Sequence, residues 1–300
     1  MIWNPPYPIA EEKILRTVIS ADTANEADDP FAIAHALLTP VLDIKAIIAT
    51  HYGIDRHADS MERSYAKTEK LLSVMHYPGN ILLHGEKAPI RYHEALSEGT
   101  VRIVEEALSG DLLILAFGPL SDIAAALRAE PSISSSLHVI WTGGGDYPDG
   151  GWEYKLFNDI EAVSYVFSSG ADIIQIPRSV YQRLTVSFSE LYLRLGESET
   201  GEYLLSQLFE HSLEPGPRTS AIRSGDSWIL GDNATIGVLL SPRASSLKEI
   251  NAPSFSPEGR YIYNERNGKI RIAERLDARF VLEDFFSKLR LQPLGKWEER

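Results

Sequence analysis

Six short apolar runs, Thr17-Ala21, Ile44-Ala49, Ile81-Leu83, Leu112-Phe117, His138-Trp141 and Ile173-Ile176, alternate along this chain with stretches whose apolar residues recur at helical spacing. The helical stretches are Phe31-Leu38, Ser60-Val74, Val101-Leu108, Ser121-Arg128 and Ile160-Phe167. Strands that alternate with helices must be joined by right-handed crossovers. This predicts an α/β fold: an open, mostly parallel, doubly wound, Rossmann-like sheet with helices on both faces. Beyond Pro177 the pattern turns more helical, over Ser187-Leu195, Tyr203-His211 and Trp228-Leu240, and Leu282-Leu289 closes the chain as a helix. A late β-hairpin is expected from Arg260-Tyr263 and Lys269-Ile272 around Asn267-Gly268, a dipeptide suited to a tight turn. No repeat, low-complexity segment or linker interrupts the pattern, so residues 1–300 are read as one domain.

Composition narrows the function classes. A chain of 300 residues with 44% hydrophobic content can bury a large core. Its net charge of −13 argues against nucleic acid and against anionic membrane surfaces as partners, because both are recognised by basic patches. With no cysteine, disulfides, thiolate zinc sites and cysteine nucleophiles are excluded, and a reducing compartment is the natural fit. The segment Met1-Ala10 carries three prolines and no apolar centre, unlike a signal peptide, and no run is apolar enough to cross a bilayer.

In an open α/β sheet, ligands gather outside the carboxyl ends of the strands, and four loops of this chain are expected there. The first packs Asp22, Glu26, Asp28 and Asp29 into eight residues after the apolar Val18-Ile19. Such charges repel by on the order of several kcal/mol in a cleft, so a divalent cation or a cation-like ligand is their natural complement. An ordinary helix start, with Asp29 as cap and Pro30 as first helical residue, explains only one of the aspartates. Next, Phe117-Gly118-Pro119 bends the chain after a very apolar strand and turns out carbonyls that can ligate a hard cation. The third loop, Thr142 to Lys155, is rich in glycine and followed by aromatic and charged residues; it suits close approach of backbone to a ligand and equally a loose surface loop. The fourth, Leu230-Gly231-Asp232-Asn233-Ala234, sets one aspartate in an apolar segment, which alone reads best as a helix cap.

Taken together, these residues resemble the nucleoside hydrolase family, the calcium-dependent, inosine-uridine preferring N-ribohydrolases. Members open with a strand, then Asp-x-Asp-x-Gly-x-Asp-Asp, and Asp28-Asp29 match the final pair. Ala116 to Ala124 is similar to the family's Thr-Gly-Pro-Leu-Thr-Asn-Ile-Ala segment. Gly143-Gly144, Glu153 and Asp159-Ile160-Glu161-Ala162 match its Gly-Gly, Glu-Phe-Asn and Asp-Pro-Glu-Ala segments, and Asp232 matches its late His-Asp pair. The likeness runs in order from about Thr17 to at least Leu240.

The resemblance implies hydrolysis of an N-glycosidic bond of a nucleoside or related N-riboside. It also implies Ca2+ held by Asp22, Asp29, Asp232 and the main-chain carbonyl of Phe117, with Asp22 as the base that takes a proton from the attacking water. Asp28 and Glu153 would hold ribose hydroxyls. A cytoplasmic homodimer or homotetramer follows by family habit. Departures bear on each point. Asp22 precedes Asp28 by six positions rather than four, so either the loop is two residues longer and Ser20 takes the first aspartate position, or Asp22 is the first aspartate and Ala24 replaces the second; the longer loop keeps the strand end in place. Gly231 stands for the histidine that protonates the leaving base, leaving His51, His84 or Tyr147 as candidate substitutes.

Lys155 stands for asparagine. An ammonium ~4 Å from a developing oxocarbenium charge opposes it by ~4 kcal/mol at an effective dielectric near 20. The lysine is therefore expected to turn away toward Glu153 or Asp149, or to bind an anionic group of the substrate. These departures motivate a second reading, a catalytically degenerate calcium- and sugar-binding protein. A dinucleotide-binding enzyme ranks below both, since the first strand is not followed by Gly-x-Gly-x-x-Gly.

Overall fold

The computed structural model describes residues 1–92, 95–213, 225–242, 245–263 and 265–298. Numbered in chain order, the strands of the central sheet are β1 (Leu15–Ala21), β2 (Leu42–Ala49), β3 (Leu82–His84), β4 (Leu112–Ala116), β5 (Leu137–Thr142), β6 (Asp172–Ile176), β7 (Ser246–Asn251) and β8 (Lys269–Arg275). They lie in the order β7-β8-β6-β5-β4-β1-β2-β3. Every neighbouring pair is parallel except β7 with β8.

The largely apolar character of the strands in the middle of the sheet, β4 above all, follows from burial on both faces. Ile19, Ala21, Ile47, Ala49 and Leu115 pack into one layer with the helices Asp29–Leu37 (α1), Ser60–Val74 (α2) and Ala278–Leu291 (α3). Val18, Ala46, Ile48, Ile114 and Ala116 pack into the other with Ile103, Ile123, Val163 and Phe167, which lie on helices Glu98–Leu108, Ser121–Ala129 and Ile160–Ser168. The predicted doubly wound, mostly parallel sheet is the observed one.

Two expectations about the later chain need correction. A hairpin is present, but its arms are Pro253–Phe255 and Tyr261–Tyr263. The run that begins at Lys269 instead enters the central sheet as β8, between β7 and β6. Helix also does not begin at Trp228: Ser227–Ile229 is a strand paired with Thr185–Ser187, and the helix that follows is Asn233–Leu240 (α4). Among the described residues no helix is long and apolar enough to cross a membrane.

The topology marks one place at the carboxyl edge. From β1 the chain steps to β2 and β3 in one direction, then returns to place β4 on the other side of β1. The gap between β1 and β4 is thus the switch point at which such sheets open a crevice. Asp22 follows β1 directly and Phe117 follows β4 directly.

A buried acidic centre at the sheet's carboxyl edge

Two separated stretches meet at this edge. Asp28 and Asp29 open α1, and Asp232 immediately precedes α4. One carboxylate oxygen from each lies within 4.8 Å of the others. Their convergence is held from behind by His35 of α1, which bonds Asn233 Oδ1 of α4 through Nδ1 at 3.0 Å and Asp284 Oδ2 of α3 through Nε2 at 2.9 Å. His35, in the last turn of α1, thereby ties that helix to the start of α4 and to α3.

Neither helix uses its acid as an ordinary cap. Asp28, not Asp29, occupies the capping position of α1, and its side chain makes no capping hydrogen bond. The Asp28 carbonyl accepts from Phe31 N and Ala32 N, while its Oδ2 accepts from Asp232 N at 3.3 Å. Asp232 likewise caps α4 in position only, its carboxylate turned away. Its Oδ1 accepts from the hydroxyl of Thr142, at the end of β5, and from the ammonium of Lys155.

Asp22 is fully buried at the end of β1, outside the tight trio. Its electrostatic reach is nonetheless plain: after burial, the charge of Asp22 is the largest cause holding the Asp29 pKa well above the usual carboxylate range. Asp22 itself is raised by burial, opposed by Lys155, and raised further by Asp232 and Asp28. Asp232 is pushed up to about 7, first by burial, with Lys155 opposing and Asp28 reinforcing. Asp22, Asp29 and Asp232 are thus held toward the neutral form first by burial and in addition by the negative charges beside them.

The hydrogen-bond inventory of the same atoms agrees. Both carboxylate oxygens of Asp22, Oδ1 of Asp29 and Oδ2 of Asp232 are buried without a partner. Leaving one such acceptor unmade typically costs about 1–3 kcal/mol, and more when it is charged. Four orphaned oxygens from three carboxylates suit a hard divalent cation, which takes oxygen ligands in number. The donor set therefore fits a metal ion.

Other residues singled out by sequence fall around this centre with defined partners. Phe117 is buried, and its N–H donates to Ser20 O at 2.8 Å, continuing the β1–β4 ladder by one residue. A Cβ on the adjacent Gly118 would stand 3.1 Å from Asp22 Cβ, so the bend after β4 lies against Asp22. Glu153 is buried and accepts from Gly144 N at 2.8 Å and Leu156 N at 2.9 Å through Oε2, and from the Tyr181 hydroxyl at 3.0 Å through Oε1. It thereby ties the glycine-rich loop to the start of helix Tyr154–Asn158.

Lys155 pairs with neither Glu153 nor Asp149. It turns toward Asp232 and Thr142, because its place in the first turn of helix Tyr154–Asn158 sends the stem back across the end of β5. Burial alone would lower its pKa, but Asp232, Asp29, Asp28 and Asp22 together hold it well above the ordinary lysine value.

The candidate acids for a leaving group have other occupations. His51 is buried, bonds Ser121 Oγ at 2.8 Å, accepts from Gly53 N at 3.2 Å, and is pushed down to about 3 by burial. His84 stacks on Tyr65 with ring centroids 4.0 Å apart and pairs with Glu98. Tyr147 lies under the Lys248 ammonium, 4.5 Å from its ring centroid. Thr142 and Tyr181 were missed by sequence reasoning. The only signal for Thr142 was its position at a strand end before Gly143-Gly144-Gly145, and Tyr181 carried none.

Comparison with known proteins agrees with this architecture. The pyrimidine-specific ribonucleoside hydrolase RihB of Escherichia coli O1:K1 is 28% identical over 150 residues, which is 48% of this chain and 46% of that protein. A RihB relative from Shigella boydii serotype 4 is 29% identical over 150 residues and 60% of its length is matched. The alignments thus span about half the length of these curated relatives. A plant nucleoside hydrolase, PpNRh1, superposes with a TM-score of 0.74 at 20% identity, covering 92% of this chain and 98% of that one. A purine-preferring ribonucleoside hydrolase from Gardnerella vaginalis gives a TM-score of 0.74 at 18% identity, with 93% and 99% coverage. At these identities the two structures speak to the fold. The family model for inosine-uridine preferring nucleoside hydrolase matches residues 17–283, and the chain belongs to that family.

Proposed function

We propose that this protein hydrolyses the N-glycosidic bond of a nucleoside or related N-riboside with the help of Ca2+. The observation that carries the reading is the set of buried, unpartnered oxygens on Asp22, Asp29 and Asp232, drawn from two distant stretches of chain, the segment after β1 and the residue before α4. These carboxylates, with the Phe117 carbonyl as a further ligand, would hold the ion, and the position of Asp28 within the tight trio makes it a candidate as well. When bound, a hard divalent cation lowers the pKa of water in its shell and fixes ribose hydroxyls.

The chain's own residues would do the rest. Asp22 takes a proton from the attacking water, a role suited to a carboxylate whose pKa lies above the usual range. Asp28 and Glu153 accept from ribose hydroxyls. Glu153 is held for this by Gly144 N, Leu156 N and the Tyr181 hydroxyl. The names of related proteins point to pyrimidine and to purine nucleosides alike, and both classes belong in the test. A cytoplasmic homodimer or homotetramer completes the proposal, by analogy with the family.

A second reading, a calcium- and sugar-binding protein without turnover, is favoured by two specific features. Lys155 occupies Asp232, and Gly231 offers no proton to a departing base. Release of reducing sugar from a panel of purine and pyrimidine ribosides, with and without chelator, separates the two. Chelator-sensitive release supports the hydrolase. Tight calcium binding without release from any substrate supports the binder.

A further inference from the structure

Lys155, one of the departures from the family pattern, sits inside the proposed metal site, and the inference drawn from it rests on that metal reading. The Lys155 side chain is only 12% exposed and Asp232 only 1%. The ammonium is anchored at two points, Thr142 Oγ1 at 3.1 Å and Asp232 Oδ1. It is aimed there by a rigid support, since Glu153 fixes the start of the helix bearing Lys155 through Gly144 N and Leu156 N. Its charge acts on Asp22, Asp29 and Asp232 alike.

Asp232 is thus divided: Oδ1 holds the ammonium and Oδ2 has no partner. A divalent ion that uses Oδ2 together with Asp29 Oδ1 would lie within one carboxylate's width of a like charge, in a water-poor site where repulsion is strong. A lysine stem is flexible enough to yield, whereas the carboxylates are fixed by helix starts and strand ends. We propose that Lys155 is a tethered cation that competes with the divalent ion for Asp232, so that the ion binds by displacing the ammonium. The site is then self-neutralised when metal is scarce, and its affinity for divalent ions is set by this one side chain.

The test is calorimetric titration of the full, chelator-stripped chain with Ca2+, comparing wild type, Lys155→Asn and Lys155→Arg. The expected result is affinity tightened by roughly tenfold or more in Lys155→Asn, with Lys155→Arg near wild type. Lys45→Asn, midway along β2 and paired with Asp43, controls for the loss of one charge and should shift affinity by less than about twofold. Binding by Lys155→Asn where wild type is silent also supports the inference. Equal affinity of wild type and Lys155→Asn overturns it and leaves the metal site standing; no binding by any form overturns both. Should Lys155→Asn fail to fold, acetylation of wild-type Lys155 by acetic anhydride, read by mass spectrometry, decides: an increase with saturating Ca2+ supports displacement, and no change overturns it.

Discussion

A Cβ placed on Gly231 would stand 2.9 Å from Cδ2 of Tyr181 and 3.4 Å from Asp28 Oδ2. The tyrosine ring therefore fills the space that a side chain before Asp232 would need. Gly231→His should accordingly not restore a leaving-group acid; it should destabilise the fold by about 1–3 kcal/mol through overpacking. Pairing it with Tyr181→Ala should recover most of that loss by making room. Urea unfolding of the two single variants and the double variant measures the coupling, and additive losses would show that the two side chains do not compete for one space.

The buried carboxylate of Asp22 has no hydrogen-bond partner on either oxygen, so its replacement should have opposite effects on stability and on turnover. Its pKa is raised in the folded state, hence its folded form is favoured most below the unfolded value near 3.8 and is penalised increasingly as pH rises. In chelator, Asp22→Asn should be more stable than wild type at pH 7 by about 1–2 kcal/mol, with the gap shrinking toward pH 4. Saturating Ca2+ should close the gap by stabilising wild type alone. Riboside hydrolysis should fall by roughly 10²–10⁴-fold, as for loss of a positioned base.

The sheet was legible because its cause is local. Six runs in which apolar residues predominate alternate with helical periodicity and imply crossovers; the polar residues inside them, such as Ser20, Lys45 and Gln175, are too few to hide the pattern. The segment from Trp228 misled for the opposite reason. Its first two residues join Ser227 in a strand only because Thr185–Ser187, far away in the chain, offers a ladder. The late hairpin shows the same limit: the turn at Asn267-Gly268 is visible, but Lys269–Arg275 joins the central sheet between β7 and β6. At the acidic centre, residue types and order were readable from motif likeness. The partner of Lys155 was not, since Asp232 lies 77 residues away and a lysine stem reaches in many directions.

Glu153 has a structural task and a proposed one toward ribose, which a pair of substitutions can separate. Glu153→Ala strands the N–H groups of Gly144 and Leu156, both buried, and should cost about 2–4 kcal/mol in unfolding free energy. Glu153→Gln retains an oxygen for those donors and an amide that the Tyr181 hydroxyl can accept from, so its loss should stay below about 1 kcal/mol. If Glu153 also holds a ribose hydroxyl, Glu153→Gln should raise KM for ribosides while melting near wild type. Unchanged kinetics in a stable Glu153→Gln would confine the residue to its structural task.

His51 gives the fold an acid-sensitive element away from the acidic cluster. Burial lowers its pKa from 6.5 to about 3, and its Nε2 bonds Ser121 Oγ, which donates in turn to Asp159 Oδ2 at 2.7 Å. Because the folded value is depressed, the unfolded chain binds the proton first: the contribution is complete above pH 6.5 and is lost progressively as pH falls toward 3. By pH 5 wild type should have lost about 2 kcal/mol from this group alone. Asp122, pushed up to about 7 by burial and by Glu86, acts in the opposite sense between its unfolded value of 3.8 and 7, being most favourable below 3.8 and fading as pH rises. The two slopes oppose each other in wild type. His51→Gln should therefore be less stable than wild type at pH 7.5, through lost packing and the Ser121 bond, yet should close that gap as pH falls to 5. Urea titrations of both proteins at the two pH values measure this, and a gap that stays constant would show that His51 remains neutral in the unfolded chain too or is protonated in both states.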